Sequence, residues 1–253
     1  MKMDRRTFIR MCGIGLLGLG ATKADRILAN VTKGQYQSTT ALQGKRWAMV
    51  IDSKKCGACD DCAVACHKAH NVPEIDKKDQ EIKWIWKENF HGTFPDLGHN
   101  YINENLEERL FPVLCNHCDN PACVRVCPTK ATFKREDGVV MMDYHRCIGC
   151  RYCMAGCPYG ARSFNFQDPR PFIKDVNKEY PTRGKGVVEK CNFCAELLVK
   201  GEQPLCVKAC KKEAITFGDL NDPQSPVRKI LASQATIQRK PSLGTYPSVY
   251  YII

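Results

Sequence analysis

Sixteen of the seventeen cysteines in this 253-residue chain fall into four short runs, and no other feature limits its possible folds as severely. The runs are Cys56/Cys59/Cys62/Cys66, Cys115/Cys118/Cys123/Cys127, Cys147/Cys150/Cys153/Cys157 and Cys191/Cys194/Cys206/Cys210. Each opens with two cysteines three apart and closes with two cysteines four apart. Thiols supplied four at a time on short loops are the donor sets of metal centres, and only Cys12 is left over.

The third run, "CIGCRYCMAGCP", narrows the metal. Three thiolates at i, i+3 and i+6 on a tight loop can grip three corners of an iron–sulfur cubane. The fourth, followed by proline, opens away and serves the neighbouring cluster. The second run, "CNHCDNPACVRVCP", keeps this plan with two residues added before Cys123. Cys115, Cys118, Cys123 and Cys157 are thus expected to hold one cluster, and Cys147, Cys150, Cys153 and Cys127 its neighbour.

Cys66 and Cys210 lack the following proline, and they close the first and last runs. That suggests a nested pairing, with Cys56, Cys59, Cys62 and Cys210 on one cluster and Cys191, Cys194, Cys206 and Cys66 on another. Zinc uses two C-x2-C pairs and would leave the C-x2-C-x2-C triplets unexplained. Disulfides would suit an exported chain, but a C-x2-C spacing is short for a structural bridge. All sixteen thiols are accounted for by four 4Fe–4S clusters.

The net charge of +11 would ordinarily point to nucleic acid or an anionic surface. Residues 1–29 hold six Lys/Arg and two Asp/Glu, which leaves about +7 elsewhere. Four oxidised cubanes with their thiolates, at about −2 each, bring the loaded protein close to neutrality. No nucleic-acid role is expected; the basic residues compensate buried anionic groups.

The N-terminus reads as an address. "MKMDRRTFIRMCGIGLLGLGATKADRILA" has a basic start and an apolar stretch from Met11 to about Ala21, shorter than the roughly 20 residues of a spanning helix. Arg5-Arg6, followed by Thr7, Phe8 and Ile9, resembles the twin-arginine export signal. The expected location is therefore periplasmic, or the outer face of the cytoplasmic membrane. Neither Thr22-Lys23-Ala24 nor Ile27-Leu28-Ala29 is a good cleavage site, so the segment could remain as an anchor. No later segment reads as a span, so a membrane link calls for another subunit.

Between the cysteines the pattern is of short strands and turns. "KRWAMVID" (45–52), Thr132-Phe133-Lys134, Val139 to Met142, "ARSFNF" (161–166) and "AITFG" (214–218) read as strands, Thr132–Lys134 and Val139–Met142 joined at "REDG". C-x3-C segments suit short helices. In "EIKWIW", Ile82, Trp84 and Trp86 alternate as one face of a strand, expected to pack on an outer cluster, a partner or the protein's own core. "DPQSPVRKILAS" predicts a turn into a helix, and "PSVYYII" an extended end that docks. His67 and His117 sit beside cysteines, where a ring N–H could reach cluster sulfur; ordinary loop roles are the simpler expectation, and no histidine is assigned as a ligand. The aromatics near the cysteines, among them Phe133, Tyr144 and Tyr159, are expected to shield clusters from water.

These residues predict an α+β, loop-rich fold of two nested bacterial-type 2×4Fe–4S ferredoxin units. The inner unit takes 106–168 and the outer one 44–105 with 169–218; 1–29 is the export signal and 219–253 an extension. With its cysteines placed, the chain resembles the four-cluster ferredoxin-like electron-transfer subunits of the molybdopterin-oxidoreductase (dimethyl-sulfoxide reductase) type. "RWAMVID", "CHKAHNVP", "FPVLCNHCDNPACVRVCPT" and "YPSVYY" look most like one branch, the exported iron–sulfur subunit of the membrane complex associated with dissimilatory sulfite reductase. The resemblance implies electron transfer without a catalytic site of its own, in sulfur metabolism. It further implies an integral membrane quinone-interacting subunit and a multihaem cytochrome c as partners. The alternatives are the iron–sulfur subunit of a molybdopterin reductase of the polysulfide, tetrathionate, nitrite or dimethyl-sulfoxide type, and a metal-stabilised binding protein with no redox role.

Overall fold

The computed structural model describes residues 42–253 except 58 and 100. The export signal expected at 1–29 and Cys12 lie outside the described residues. Strand β1 (Trp47–Asp52) is the hub of the largest sheet. Its run "WAMVID" is apolar at successive positions, and Ala48, Met49, Val50 and Ile51 are all buried, as a strand covered on both faces requires. Two small antiparallel ladders come next along the chain: β2 (Ile85–Glu88) with β3 (Phe111–Leu114), and β4 (Thr132–Lys134) with β5 (Val140–Met142). A third joins β6 (Ser163–Phe164) to β7 (Val188–Glu189). The last three strands, β8 (Ile215–Asp219), β9 (Thr236–Ile237) and β10 (Val249–Ile252), complete the large sheet in the order β8-β1-β10-β9.

β8 lies antiparallel to β1, with Met49 opposite Phe217, while β10 lies parallel to it, with Met49 opposite Val249. The extended end expected at "PSVYYII" thus docks beside β1, inside the sheet. One face of that sheet is closed by the helix Pro226–Ser233, whose Val227 packs on Ala48, Val50 and Ile252. On the other side Tyr251 meets an aromatic group of Phe94 and Phe111, and its hydroxyl donates to the Pro112 carbonyl at 3.0 Å.

The short strands deliver the cysteines. β1, β3, β5 and β7 each run into the first cysteine of a run, and β4, β6 and β8 each begin five or six residues after a fourth cysteine. Five helices carry inner cysteines or follow them. Cys62 and Cys66 lie on α1 (Asp61–Ala69), Cys123 on α2 (Ala122–Arg125) and Cys153 on α3 (Tyr152–Ala155). α4 (Ala195–Leu198) follows Cys194, and α5 (Leu205–Lys208) carries Cys206. Among the described residues no helix is long and apolar enough to cross a membrane.

The alternation expected in "EIKWIW" does not hold. The strand starts at Ile85; Ile82 and Trp84 are buried before it, Ile85 is buried within it, and Trp86 is only half-buried. The reason is an interaction the local pattern does not show. The Trp84 ring stacks on His70, and its Nε1 donates to the Glu189 carboxylate at 3.0 Å, so this segment closes over the protein's own interior.

Candidate metal centres

The runs of cysteines approach one another, and in two cavities the fourth member of one run lies with the first three of another. Cys56, Cys59, Cys62 and Cys210 line one cavity. Cys66, Cys191, Cys194 and Cys206 line another, with His70, Trp84, Ile85, Leu114 and Phe193 around them. Cys118 lies near Cys115, Cys123 and Cys157. Cys153 belongs to a core against which Cys123, Cys127 and Cys147 all pack, while Cys150 lies at the surface. The groups also neighbour one another in a fixed order. Cys153 approaches Cys123, Cys191 approaches Cys115, and Cys206 approaches Cys62. The Cys147 group, the Cys115 group, the Cys191 group and the Cys56 group therefore form a row. Among the described residues the exposed cysteines are Cys59 and Cys150, one in each end group.

The loops share a backbone device. The residue before the second cysteine is left-handed in three runs: His117 (φ 40°), Gly149 (φ 70°) and Phe193 (φ 56°). Three residues after the fourth cysteine the chain is again left-handed, at Lys130, Gly160 and Glu213. Such turns aim successive peptide N–H groups into one concavity, which favours anionic sulfur. The N–H groups of Phe193, Leu205 and Ala214 point at Cys191, Cys194 and Cys210 sulfurs at 3.3–3.4 Å. Only glycine fits at 149, because a Cβ there would collide with the Gly186 carbonyl oxygen and come within 3.1 Å of the Phe164 ring. Gly149→Ala is expected to cost about 1–3 kcal/mol, from the left-handed backbone and the clash. The measurements are denaturant unfolding and iron retention, and an unchanged midpoint would show that the loop adapts.

The donor set fits iron–sulfur clusters. Burial pushes the Cys62 thiol up to about 11 and the Cys118 thiol up to about 12, and neighbouring thiolates add to both. Cys66 is raised well above the ordinary thiol range, first by burial and then by Cys191, Cys194 and Cys206. Four mutually repelling sulfurs in an apolar enclosure become stable anions only around a cationic centre. Cys127 behaves differently. Partial burial would raise it, but backbone N–H groups of Thr132, Thr129 and Ala131 and the Thr129 hydroxyl lower it on balance.

Neither of the two histidines singled out in the sequence hydrogen-bonds a cysteine sulfur, and His117 Nε2 is buried without a protein partner. His67 faces the Ile85 carbonyl at 3.2 Å. His117 accepts from the Val140 N–H at 3.0 Å and stacks on Phe193, ring centroids 3.7 Å apart. The histidine that does approach a sulfur is His70, one helical turn after Cys66. Its Nδ1 lies 2.9 Å from the Cys66 carbonyl and 3.7 Å from Cys66 Sγ, and its Nε2 2.8 Å from Glu196. Burial works against the Glu196 carboxylate, yet the hydrogen bond and charge from His70 hold its pKa below the ordinary value. The i, i+4 spacing of Cys66 and His70 was the available sequence signal. Arg162 and Lys190, both buried beside cysteines, carried none.

Known proteins share these features. Residues 106–170, which hold the two middle runs, match the family described as the 4Fe-4S dicluster domain. The chain is 41% identical to the Hdr-like menaquinol oxidoreductase iron-sulfur subunit 1 of Archaeoglobus fulgidus, over 98% of this chain and 97% of that protein. It is 36% identical to the B polypeptide of polysulfide reductase from Wolinella succinogenes, over 82% of this chain and 94% of that one. With the B polypeptide of tetrathionate reductase from Salmonella typhimurium the identity is 35%, over 100% of this chain and 89% of that one. Sixteen cysteines in four runs, a dicluster match over the middle pair and end-to-end similarity to such polypeptides lead to one assignment: the chain belongs to the family of iron–sulfur subunits of molybdopterin-oxidoreductase-type complexes.

Proposed function

We propose that the chain is an exported electron wire with four 4Fe–4S clusters, built as two nested ferredoxin units, that passes single electrons between a quinone-interacting membrane subunit and a multihaem cytochrome c. The observation that carries this reading is the row of four thiol groups whose two end groups each present an exposed cysteine, Cys59 and Cys150. The ligand sets follow the exchange of fourth cysteines: Cys56/Cys59/Cys62/Cys210, Cys191/Cys194/Cys206/Cys66, Cys115/Cys118/Cys123/Cys157 and Cys147/Cys150/Cys153/Cys127.

Each cluster, once bound, supplies a one-electron carrier whose potential responds to charge and hydrogen bonds around its sulfurs. The chain's own residues set those conditions. Buried Trp84 and Phe193 exclude water from the Cys191 group, and peptide N–H groups donate to the sulfurs. At one end, Ile148 and Tyr152, 66% and 63% exposed, flank Cys150 in sequence and offer an apolar contact for a redox partner. A quinone-linked partner is supported by the menaquinol oxidoreductase relative, and a role in sulfur metabolism by the polysulfide and tetrathionate reductase relatives. Arg5-Arg6 supports export in the folded, cluster-loaded state. A molybdopterin catalytic subunit in place of the cytochrome is the second reading, favoured by the same two reductase relatives.

The test is purification from the native membrane, with iron and sulfide analysis and identification of the copurifying proteins. About sixteen irons per chain are expected; about four zinc ions in a colourless preparation would refute the redox role. In electron paramagnetic resonance, Cys66→Ser should alter the same signal as Cys191→Ser. Altering instead the signal that Cys56→Ser perturbs would break the nested pairing.

A further inference from the structure

Arg162 is 4% exposed and, among the described residues, has no carboxylate within ion-pairing distance. Its Nη1 donates to Thr132 Oγ1 at 2.9 Å and lies 3.8 Å from Met142 Sδ, while Nη2 donates to Cys123 Sγ at 3.0 Å. The guanidinium therefore stands at the junction between the Cys147 group and the Cys115 group, with Cys123, Cys153 and Cys115 as its nearest source of negative charge. A buried guanidinium without a carboxylate is costly unless another anion faces it. The same motif returns at the next junction. Lys190, 1% exposed and likewise without a carboxylate partner among the described residues, donates to the Val140 carbonyl and, at 2.6 Å, to the Cys191 carbonyl.

We infer that Arg162 is a positioning residue for electron transfer: its charge and its N–H···S bond to Cys123 raise the reduction potential of the cluster in the Cys115 group. The inference rests on the electron-wire reading above. Reduction adds one negative charge to the site, so a fixed neighbouring cation and a hydrogen bond to a ligand sulfur both favour the reduced form. A purely structural guanidinium, tying the β4–β5 hairpin to the strand that follows Arg162, would stabilise the fold and leave potentials unchanged.

The experiment is a redox titration of the full chain followed by electron paramagnetic resonance, for wild type, Arg162→Gln and Arg162→Lys. Arg162→Gln is expected to lower the equilibrium constant for reduction of one cluster at least tenfold, about 59 mV for a one-electron couple. That cluster should be the one whose signal Cys123→Ser also alters. Arg162→Lys, which keeps the charge, should stay within about threefold of wild type. Midpoints within threefold of wild type in Arg162→Gln, or an equal displacement in both variants, would overturn the inference. If Arg162→Gln loads fewer clusters, wild-type protein carrying ¹⁵N-arginine decides the matter. A ¹⁵N hyperfine coupling on the reduced-cluster signal upholds the contact with Cys123, and its absence rejects it. A wild-type preparation without one-electron iron–sulfur signals would instead sink the electron-wire reading, so the two failures are told apart.

Discussion

Stripping iron from the purified protein with a chelator under anaerobic conditions is expected to remove most of its folded structure. Seven of the sixteen thiols are buried, in positions that a conventional domain fills with aliphatic side chains. In one of the cores, Ala131, Met142 and Val188 pack directly on Cys153, with Cys123, Cys127 and Cys147 around them. The ladders that frame the sites are two to four residues long and could not persist as isolated hairpins. Structural metal centres in small domains contribute about 10–16 kcal/mol of apparent binding free energy, as much as the whole net stability of a typical domain. The sheet β8-β1-β10-β9 differs, because Val227, Ile230 and Leu231 of the Pro226–Ser233 helix give it an apolar core without cysteine. Circular dichroism should therefore lose well over half of its native signal. Residual hydrogen-exchange protection should be confined to 47–52, 215–219 and 249–252. An unchanged spectrum after complete iron removal would mean that packing alone holds the fold.

The second large effect is expected at Arg183 and Glu189, 3% and 0% exposed, whose Nη2 and Oε2 lie 2.6 Å apart. Glu189 also accepts from Trp84 Nε1 at 3.0 Å and from Asn165 Nδ2 at 2.5 Å. Arg183 donates to the carbonyls of His70 and Asn71, just past the end of α1, and lies over the Trp84 ring. The pair thus ties β7, which leads into Cys191, to the helix that carries Cys66. Arg183→Met should destabilise the protein by about 3–5 kcal/mol, since it leaves a buried carboxylate without its counter-charge. Arg183→Met with Glu189→Gln should recover part of that loss, because no unpaired charge stays buried. Anaerobic denaturant titrations give both numbers, and a single variant within about 1 kcal/mol of wild type would show that solvent reaches the pair. On the four-cluster reading proposed above, the group formed by Cys66, Cys191, Cys194 and Cys206 should lose its metal before the other three do.

The cysteine spacing and the strands beside it were legible because they are local. A C-x2-C turn fixes where its thiols point, and "WAMVID" or "AITFG" can hardly be anything but buried strands. The docking of "PSVYYII" was legible as apolar burial, though not its parallel placement against β1, which depends on the long connection from β8. The register of "EIKWIW" was misread because Trp84 answers to Glu189 and His70, distant in sequence, rather than to its own neighbours. Arg162 and Lys190 escaped for a related reason. A lone basic side chain acquires a role only when the fold sets several distant sulfurs or carbonyls around it, and no spacing rule encodes that.

The stack of His117 on Phe193 has a consequence for speed. Each ring sits on a left-handed loop that leads to a different group of thiols, so the two loops meet face to face through a contact that is already close-packed. In the electron wire proposed above, tunnelling rates would fall exponentially with separation, and thermal breathing between its two halves would make the slowest hop erratic. Two rings in van der Waals contact, each held by a backbone conformation with little freedom to relax, act as a spacer of fixed thickness. The step from one half to the other should then keep nearly the same rate whether or not partners are docked at the ends.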